Sequence, residues 1–349
     1  FPLKEQERIK NLPTKTMKLL LSQVLIALRD PDGRIKRTND AYIEWSNWFL
    51  TEMKSFDEAD LTKYSYKDLY EEFQHMEKAY LKHYRLIRYG MVSHSIATNL
   101  MVKNWLEKWL DDTDGSIYSK LISGIPGNKT VETNIAIAKL AQHAQQNDTI
   151  KKSLMNDDAK EFLLKLSKNK TWKPFKEHYQ HFMKNYGHRC HTREVYYPCW
   201  IENQELVISL LQSLVTNKHL DFDDIEQQKR IERVTAEKEI YHRISKLPLG
   251  FLKKRLFKIV LQYAQTYLTF RENQRFFLDH QHLRQRRLFR EYGQRFYQEK
   301  LLDDPMDIFF LSKEDIFSIA AGDKTLDKTK LLEEKKSFFK NQGMLPPKF

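Results

Sequence analysis

The sequence has little glycine and little proline, with ten of each among 349 residues. Scarce glycine leaves few positions for the left-handed backbone that tight turns between strands require, which disfavours a sheet-based fold. No proline lies between Pro31 and Pro126 or between Pro248 and Pro305, and such intervals accommodate long helices. We therefore predict an all-α fold of mostly long helices with at most a short strand pair, in one large helical domain or two packed helical subdomains.

Long apolar runs, targeting signals and paired metal-binding cysteines are also missing. No continuous apolar window reaches the roughly 18 residues of a membrane span, and the N-terminus has no charged-then-apolar signal pattern. The spacing of the two cysteines, Cys190 and Cys199, matches no zinc pattern, and an intracellular chain keeps such residues reduced. We expect a cytoplasmic protein without a membrane partner or a metal site, in which both cysteines are ordinary thiols.

Positive charge exceeds negative charge, with 59 Lys and Arg against 47 Asp and Glu and a net charge of +12. The basic residues are mixed with acids along the predicted helices, so solvated helix faces explain them better than nucleic-acid binding does. The run Arg284, Arg286, Arg287 and Arg290 likewise predicts an exposed helix face. A non-enzymatic helical module that binds an acidic partner is an alternative, and salt-sensitive binding to polyanions would be its mark.

Short catalytic motifs are absent as well: the chain has no glycine-rich phosphate cradle, Gly-x-Ser-x-Gly elbow, His-Glu-x-x-His or Cys-x-x-Cys. It therefore carries no signature for nucleotide, acyl or zinc chemistry of its own. Asp111, Asp112 and Asp114 differ in spacing from the magnesium cluster of terpene synthases, and no second metal motif accompanies them. A solvated loop that ends a helix is the better interpretation.

Apolar spacing and turn signals divide the chain into helical segments. The segment 249–302 predicts either one long helix or a helical hairpin, and 305–311 predicts a short strand or extended piece, after which Ser312 caps a helix. The other predicted helical regions are 3–30, 40–53, 65–109, one opening near Val131, 159–166, 172–185, 203–216 and 223–246.

Two arginines fall on an apolar stripe of segment 249–302. Arg271 lies within the stripe and Arg275 at its edge, so both guanidinium groups are expected to face inward. Because an unpaired buried cation is costly, each needs a carboxylate or an anionic ligand. The stripe consists of Val260, Tyr263, Tyr267 and Leu278, and the candidate carboxylates are Glu272, Glu202 and Glu194.

His188 and Arg189 follow Gly187 at the end of a predicted helix. A titratable ring beside a guanidinium suits the binding of an anion or the transfer of a proton. Helix capping together with a core histidine is the alternative interpretation.

Four segments follow one another along the chain. They are Tyr186-Gly187-His188-Arg189, Pro198-Cys199-Trp200-Ile201-Glu202-Asn203, Arg271-Glu272-Asn273-Gln274-Arg275 and Asp304-Pro305-Met306-Asp307-Ile308-Phe309-Phe310-Leu311. In this order, and preceded by Leu121-Ile122-Ser123-Gly124, they resemble the central, substrate-binding region of phosphoenolpyruvate-synthase-like enzymes, the group that includes rifampicin phosphotransferase.

The resemblance implies a division of labour between domains. In that group a nucleotide-binding domain phosphorylates a histidine on a swivelling domain, which carries the phosphoryl group to an acceptor held by a large helical domain. Residues 1–349 are then the acceptor-binding domain of an ATP-dependent phosphotransferase, a segment of a larger enzyme with a possible subdivision near 111–130. ATP and magnesium are expected only on the other domains, in the same or another chain.

The resemblance also implies roles for individual residues. Arg271 and Arg275 match the Arg-Glu-x-x-Lys/Arg motif whose cations meet the phosphoryl group, and His188 joins them at the reactive group of the acceptor. A bulky, largely apolar, hydroxylated small molecule, such as an antibiotic that the enzyme modifies, would be the acceptor. The expected substrate-binding residues are Arg189, Glu202, Glu272, Tyr80, Tyr84, Tyr263 and Tyr267. A ligase or cyclase on the same scaffold is the enzymatic alternative.

Overall fold

The computed structural model describes residues 34–57, 59–86, 92–192, 194–216 and 222–342. Within these ranges the regular structure is helical and contains no strand, so the predicted all-α fold is confirmed. A single isolated antiparallel bridge pairs Cys190 with Cys199. The predicted helix 3–30 and the side chain of Tyr84 lie outside the described residues.

The helices are numbered here in chain order. They are α1 (Arg34–Asp57), α2 (Tyr66–Leu86), α3 (Val92–Leu110), α4 (Ser116–Leu121), α5 (Lys129–Gln145), α6 (Asp148–Asn156), α7 (Ala159–Lys168), α8 (Lys173–Tyr186), α9 (Gln204–Thr216), α10 (Phe222–Ser245), α11 (Gly250–Gln298), α12 (Lys313–Ala320) and α13 (Lys328–Gln342). Short 3-10 helices cover Leu61–Lys63, Lys170–Trp172 and Pro305–Phe310. Among the described helices, none combines the length and the apolarity needed to cross a membrane.

Most predicted helices are present, and α7 to α10 match their predicted ranges within two residues at either end. The segment 249–302 is one helix of 49 residues and not a hairpin. The predicted region 65–109 contains α2 and α3.

The predicted strand at 305–311 is wrong, because this segment forms a 3-10 helix. Proline fits the first turn of a helix, where its missing N–H costs no hydrogen bond. Pro305 occupies that place, and the Asp304 carboxylate accepts the Met306 N–H at 2.8 Å. Ser312 caps α12 as predicted, since its hydroxyl accepts the Asp315 N–H at 3.1 Å.

The chain forms two compact units that are interleaved along the sequence. Unit 1 consists of residues 1–48, 83–132 and 221–274, and unit 2 consists of 49–82, 133–220 and 275–349. The subdivision expected near 111–130 stays a prediction.

Unit 1 has a core formed by α3, α10 and the first part of α11. The indole rings of Trp105 and Trp109 stack with centroids 4.9 Å apart, and the ring of Phe257 lies beside both of them. In the loop before α4, the Asp112 carboxylate accepts the N–H groups of Ile117 and Tyr118 at 2.9 and 3.0 Å. Asp112 is buried and caps α4, so the expectation of a solvated loop is wrong for this residue.

Unit 2 contains two apolar clusters. One is built by α5 to α9, and the other by α2, the last part of α11, the third 3-10 helix and α12. In the second cluster Gly293 of α11 lies against the 3-10 helix so closely that a Cβ atom would stand 2.2 Å from the Pro305 carbonyl oxygen. A side chain at this position would therefore push the two elements apart.

Candidate functional site

A tight turn after α8 carries the first candidate residues. The Gly187 N–H donates to the Met183 carbonyl at 2.8 Å and ends the helix. A Cβ atom at Gly187 would lie 2.4 Å from the same oxygen and 3.1 Å from Cβ of Ile201, so glycine fits best here. The return segment is fixed by hydrogen bonds from the Ile201 N–H to the Gly187 carbonyl and from the Trp200 N–H to the Arg189 carbonyl, at 2.8 and 2.9 Å.

This turn directs His188 into the interior of unit 2 rather than to the surface. The imidazole is buried and stacks on that of His280, with ring centroids 3.4 Å apart and planes at 11°. Phe276 meets it edge to face at 4.4 Å. No described residue forms a hydrogen bond with His188 Nε2.

Burial determines the protonation of this histidine pair. It lowers the pKa of His188 well below the usual value, and the neighbouring His280 and Arg189 lower it further. Burial also lowers the pKa of His280 to about 3, assisted by Arg284 and Arg189. Both rings are therefore neutral near pH 7, and the interpretation of His188 as a core histidine has direct structural support.

Arg189 forms an internal ion pair with Asp279 of α11, with Nη1 and Oδ2 separated by 3.0 Å. The two side chains are 12% and 4% exposed. Burial lowers the pKa of Arg189, while the Asp279 carboxylate raises it. The guanidinium also lies over the ring of Phe276, 5.9 Å from its centroid. The pair thus joins the turn after α8 to α11.

The expectation that Arg271 and Arg275 face inward is wrong, because both side chains are exposed. Arg271 pairs with Glu272, one of the three candidate carboxylates, at 3.0 Å, and its side chain remains 44% exposed. Arg275 donates to the His191 carbonyl at 3.3 Å and makes no ion pair within the described part of unit 2. A stripe read at constant helical spacing fails here because the face of α11 that is buried changes along its 49 residues.

Asn273 is the buried residue of the Arg-Glu-x-x-Arg segment. Its amide oxygen accepts the Lys129 N–H at 2.8 Å, and its amide nitrogen donates to the Gly127 carbonyl at 2.8 Å. The side chain therefore fastens the loop before α5 to α11 within unit 1. The apolar stripe gave no reason to single it out.

Three of the four candidate tyrosines, Tyr80, Tyr263 and Tyr267, have described side chains. Tyr267 is buried and Tyr263 half-buried in unit 1, with ring centroids 6.1 Å apart. Tyr80, in unit 2, is 38% exposed, and its role in binding the acceptor stays a prediction. It lies on an outer part of α2, whose buried face includes Leu69, Phe73 and Met76.

Glu202 binds two arginines of α11. Its two carboxylate oxygens accept from Arg286 Nε and Arg290 Nη1, both at 2.6 Å. Arg286 also donates to the carbonyls of Val195 and Tyr196. Glu202 is therefore the partner of these arginines and not of Arg271, and this network holds the loop before α9 against α11.

The predicted exposed face of the basic run is wrong for Arg284 and Arg286, which are both buried. Arg284 donates to the Glu52 carbonyl at 2.9 Å and lies 4.2 Å from the centroid of the Phe56 ring. Burial lowers its pKa to about 10, partly offset by Glu72. No sequence pattern pointed to these buried arginines or to Asp279 and His280, because their partners come from segments that are distant along the chain.

The cysteines are also placed differently from the prediction. Cys190 and Cys199 face each other across the isolated bridge with Cα atoms 4.4 Å apart, and a disulfide joins them. The expectation of two ordinary thiols is therefore wrong for this structure. The disulfide is possible because the backbone pairing brings the two cysteine side chains to the same side of the turn.

Comparison with known proteins supports the family resemblance that the order of the sequence segments indicated. The model of the rifampicin phosphotransferase fourth domain matches residues 88–272, more than half of the chain. A chondramide synthase from Chondromyces crocatus is 26% identical over 246 residues, and a rifampicin phosphotransferase from Bacillus cereus is 20% identical over 263 residues.

These alignments cover 69% and 72% of this chain, but only 6% and 30% of the two relatives. The chain therefore spans a minor part of each curated relative. The matched residues 88–272 include the turn after α8, the Glu202 loop and the Arg271–Glu272 pair. On the extent of this match, the chain is a phosphotransferase-related domain and belongs to the family of the rifampicin phosphotransferase fourth domain.

Proposed function

We propose that this domain holds a hydroxyl-bearing small molecule that accepts a phosphoryl group from a phosphohistidine on a separate swivelling domain. ATP and magnesium would load that histidine on a nucleotide-binding domain, in the same or another chain. Family membership supports the general role. The observation that carries the proposal is the exposure of Arg271 and Arg275, four residues apart on one helix.

Exposed guanidinium groups suit a visiting phosphoryl group. Charge builds up on the equatorial oxygens during transfer, and positioned cations stabilise it. Arg271 is held by the neighbouring Glu272 in an exposed pair, which is a weak interaction that an anion can replace. Arg275 is held in the described structure by one backbone carbonyl, so its charge is available to a ligand.

His188 and Arg189 have a different place in this proposal. Their side chains are buried, and Arg189 already has a carboxylate partner. We assign them a positioning role, in which the His188–His280 stack and the Arg189–Asp279 pair hold α11 against the turn after α8. We also assign Glu202 a positioning role in place of substrate binding, because its carboxylate binds Arg286 and Arg290.

An apolar hydroxylated acceptor, such as an antibiotic, fits the aromatic content of the domain. Tyr263 and Tyr267 provide stacked rings in unit 1, and the name of one relative specifies rifampicin. Rifampicin is therefore the first acceptor to test. The proposal places this reaction in the cytoplasm, without a membrane or nucleic-acid partner.

The test uses the complete gene product that contains these residues. We expect its reading frame to encode a nucleotide-binding region and a swivelling domain with a phosphorylatable histidine, and the protein to transfer phosphate from ATP to a hydroxylated acceptor. Mass spectrometry would measure both the phosphohistidine and the phosphorylated acceptor. A phosphohistidine that forms but never passes its phosphate to any acceptor, or a reading frame and genome without either domain, would overturn the proposal.

Three variants test whether Arg271 and Arg275 act in the transfer of the phosphoryl group to the acceptor. Arg271→Ala and Arg275→Ala should each lower kcat/KM for the acceptor by about 100-fold, because each removes a charge that stabilises the transferring group. Arg255→Ala, at an exposed arginine of the same helix, should leave the rate unchanged and serves as the control. Phosphohistidine formation should be the same in all three proteins.

A ligase or cyclase on the same scaffold is the second candidate. The match to a chondramide synthase favours it, since that name denotes a synthetic and not a phosphoryl-transfer reaction. This candidate predicts a condensed or cyclised product that carries no phosphate. The same mass-spectrometric assay separates the two candidates.

A further inference from the structure

Three buried side chains with metal-binding atoms meet beside the turn after α8. Cys190 and Cys199 belong to the turn, and His282 comes from α11. Their ligand atoms all lie within 4.8 Å of one another. Thiolate sulfur and imidazole nitrogen are the donors that zinc and similar divalent metals prefer in proteins.

His282 provides a second, independent observation. The residue is 8% exposed, and its Nε2 atom forms no hydrogen bond with any described residue. Buried imidazole nitrogens in proteins normally have a donor, an acceptor or a metal ion as partner. A backbone hydrogen bond with Glu194 acts on the same ring, and such a bond orients an imidazole when it ligates a metal.

We propose that Cys190, Cys199 and His282 bind one zinc-like divalent cation in the reduced protein, and that the disulfide is the oxidised, metal-free form. Three protein ligands leave the fourth tetrahedral position to water or to another small ligand. The site is independent of the proposed phosphoryl transfer. It is also a site that the cysteine spacing does not reveal, because its third ligand comes from a distant helix.

The conversion between the two forms is a balanced reaction. A dithiol reductant gives two electrons and two protons to the disulfide and becomes a disulfide itself, which leaves Cys190 and Cys199 as thiols. Binding of a divalent cation then releases the two thiol protons. At a metal–sulfur distance of about 2.3 Å, tetrahedral geometry separates the two sulfur atoms by about 3.8 Å, so the cysteine side chains rotate apart.

The two forms restrain different parts of unit 2. The disulfide links two positions within the turn, whereas the metal ion would also fasten the turn to α11 through His282. His188 and Arg189 directly precede Cys190 and contact α11 through His280 and Asp279. Metal binding would therefore reinforce contacts that the disulfide does not touch.

Cobalt(II) is the probe, because its thiolate complexes absorb in the near ultraviolet. The full chain, reduced with a phosphine that does not bind the metal and freed of metals with a chelator, should take up one equivalent of cobalt. Zinc should then displace it and remove the band. The oxidised protein should take up no cobalt at this site.

Variants test each ligand. Cys190→Ser and Cys199→Ser should abolish the thiolate band, and His282→Asn should weaken cobalt binding at least tenfold while both thiols stay available. His242→Asn, at an exposed histidine of α10, should bind as the parent chain does. Circular dichroism of each variant measures its helix content and so distinguishes a folding defect from the loss of a metal ligand.

Two results would overturn the proposal. One is a reduced parent chain that has two titratable thiols and a native circular dichroism spectrum but no cobalt uptake. The other is undiminished binding by a folded His282→Asn protein, which would show that the two cysteines bind metal without the third ligand.

Discussion

The imidazole of His188 lies flat on that of His280, with ring centroids 3.4 Å apart. The two rings come from the turn after α8 and from α11, so the stack joins segments that are distant in sequence. Both have a pKa below the usual value because of burial, and Arg189 adds repulsion against a proton on either ring.

Acid should destabilise the protein through this pair. An unfolded histidine has a pKa of about 6.5, whereas the pKa of folded His280 is about 3. Below pH 6.5 the unfolded chain therefore binds more protons, and the free energy of unfolding falls as the pH decreases from about 6.5 toward about 3. We expect up to about 1.4 kcal/mol per pH unit for each histidine, measured by urea unfolding between pH 7 and pH 5.

The variant His280→Gln checks the origin of this pH dependence. It should make the fall in unfolding free energy between pH 7 and pH 5 shallower, because one of the two rings that gain a proton on unfolding is gone. The matched change His242→Gln, at an exposed position of α10, should keep the slope of the parent chain. Equal slopes for all three proteins would assign the acid sensitivity to other groups.

The Arg189–Asp279 pair should be sensitive to the loss of one partner. Asp279→Ala leaves a buried guanidinium without its carboxylate, which typically costs about 3 to 5 kcal/mol of unfolding free energy. The double variant Arg189→Met with Asp279→Leu should regain part of that loss, since no buried charge remains. Glu272→Gln breaks the exposed pair with Arg271 and should cost less than about 1 kcal/mol. Similar losses for the buried and the exposed pair would contradict the assignment.

The two arginines bound by Glu202 should differ in importance. Arg286 is buried and donates to Glu202 and to two backbone carbonyls, whereas Arg290 is 51% exposed. We expect Glu202→Ala to destabilise the chain by about 3 kcal/mol and to increase hydrogen exchange in the loop around Val195, because Arg286 loses its counter-charge. Arg290→Ala should cost less than about 1 kcal/mol. The prediction is wrong if hydrogen exchange near Val195 responds equally to both changes.

Gly293→Ala should reverse the usual effect of alanine in a helix. Replacing glycine by alanine inside a helix ordinarily stabilises it by up to about 1 kcal/mol. Here the new methyl group would stand 2.2 Å from the Pro305 carbonyl oxygen, so we expect destabilisation of about 1 to 3 kcal/mol in thermal or urea unfolding. Gln294→Ala, at the exposed neighbouring position, should change stability by no more than about 0.5 kcal/mol. A stabilising Gly293→Ala would show that the 3-10 helix can move away.

The sequence by itself determined the helical fold and the boundaries of α7 to α10 to within two residues. Low glycine and proline content, apolar spacing and local caps act within a few residues of each other, so they can be read along the chain. Ser312 illustrates this, because its capping bond joins residues three apart. The order of short segments likewise indicated the family that the comparison shows.

Only the tertiary structure decided which polar side chains are buried. The stripe on α11 predicted an interior Arg271, yet the helix is buried on different faces along its length, and Asn273, Asp279, Arg284 and Arg286 lie inside. Their partners come from loops and helices far away in sequence, as Glu202 does for Arg286. Periodicity along one helix cannot reveal which neighbours surround each turn of it, because that depends on the packing of all the others. The meeting of Cys190, Cys199 and His282 was decided in the same way.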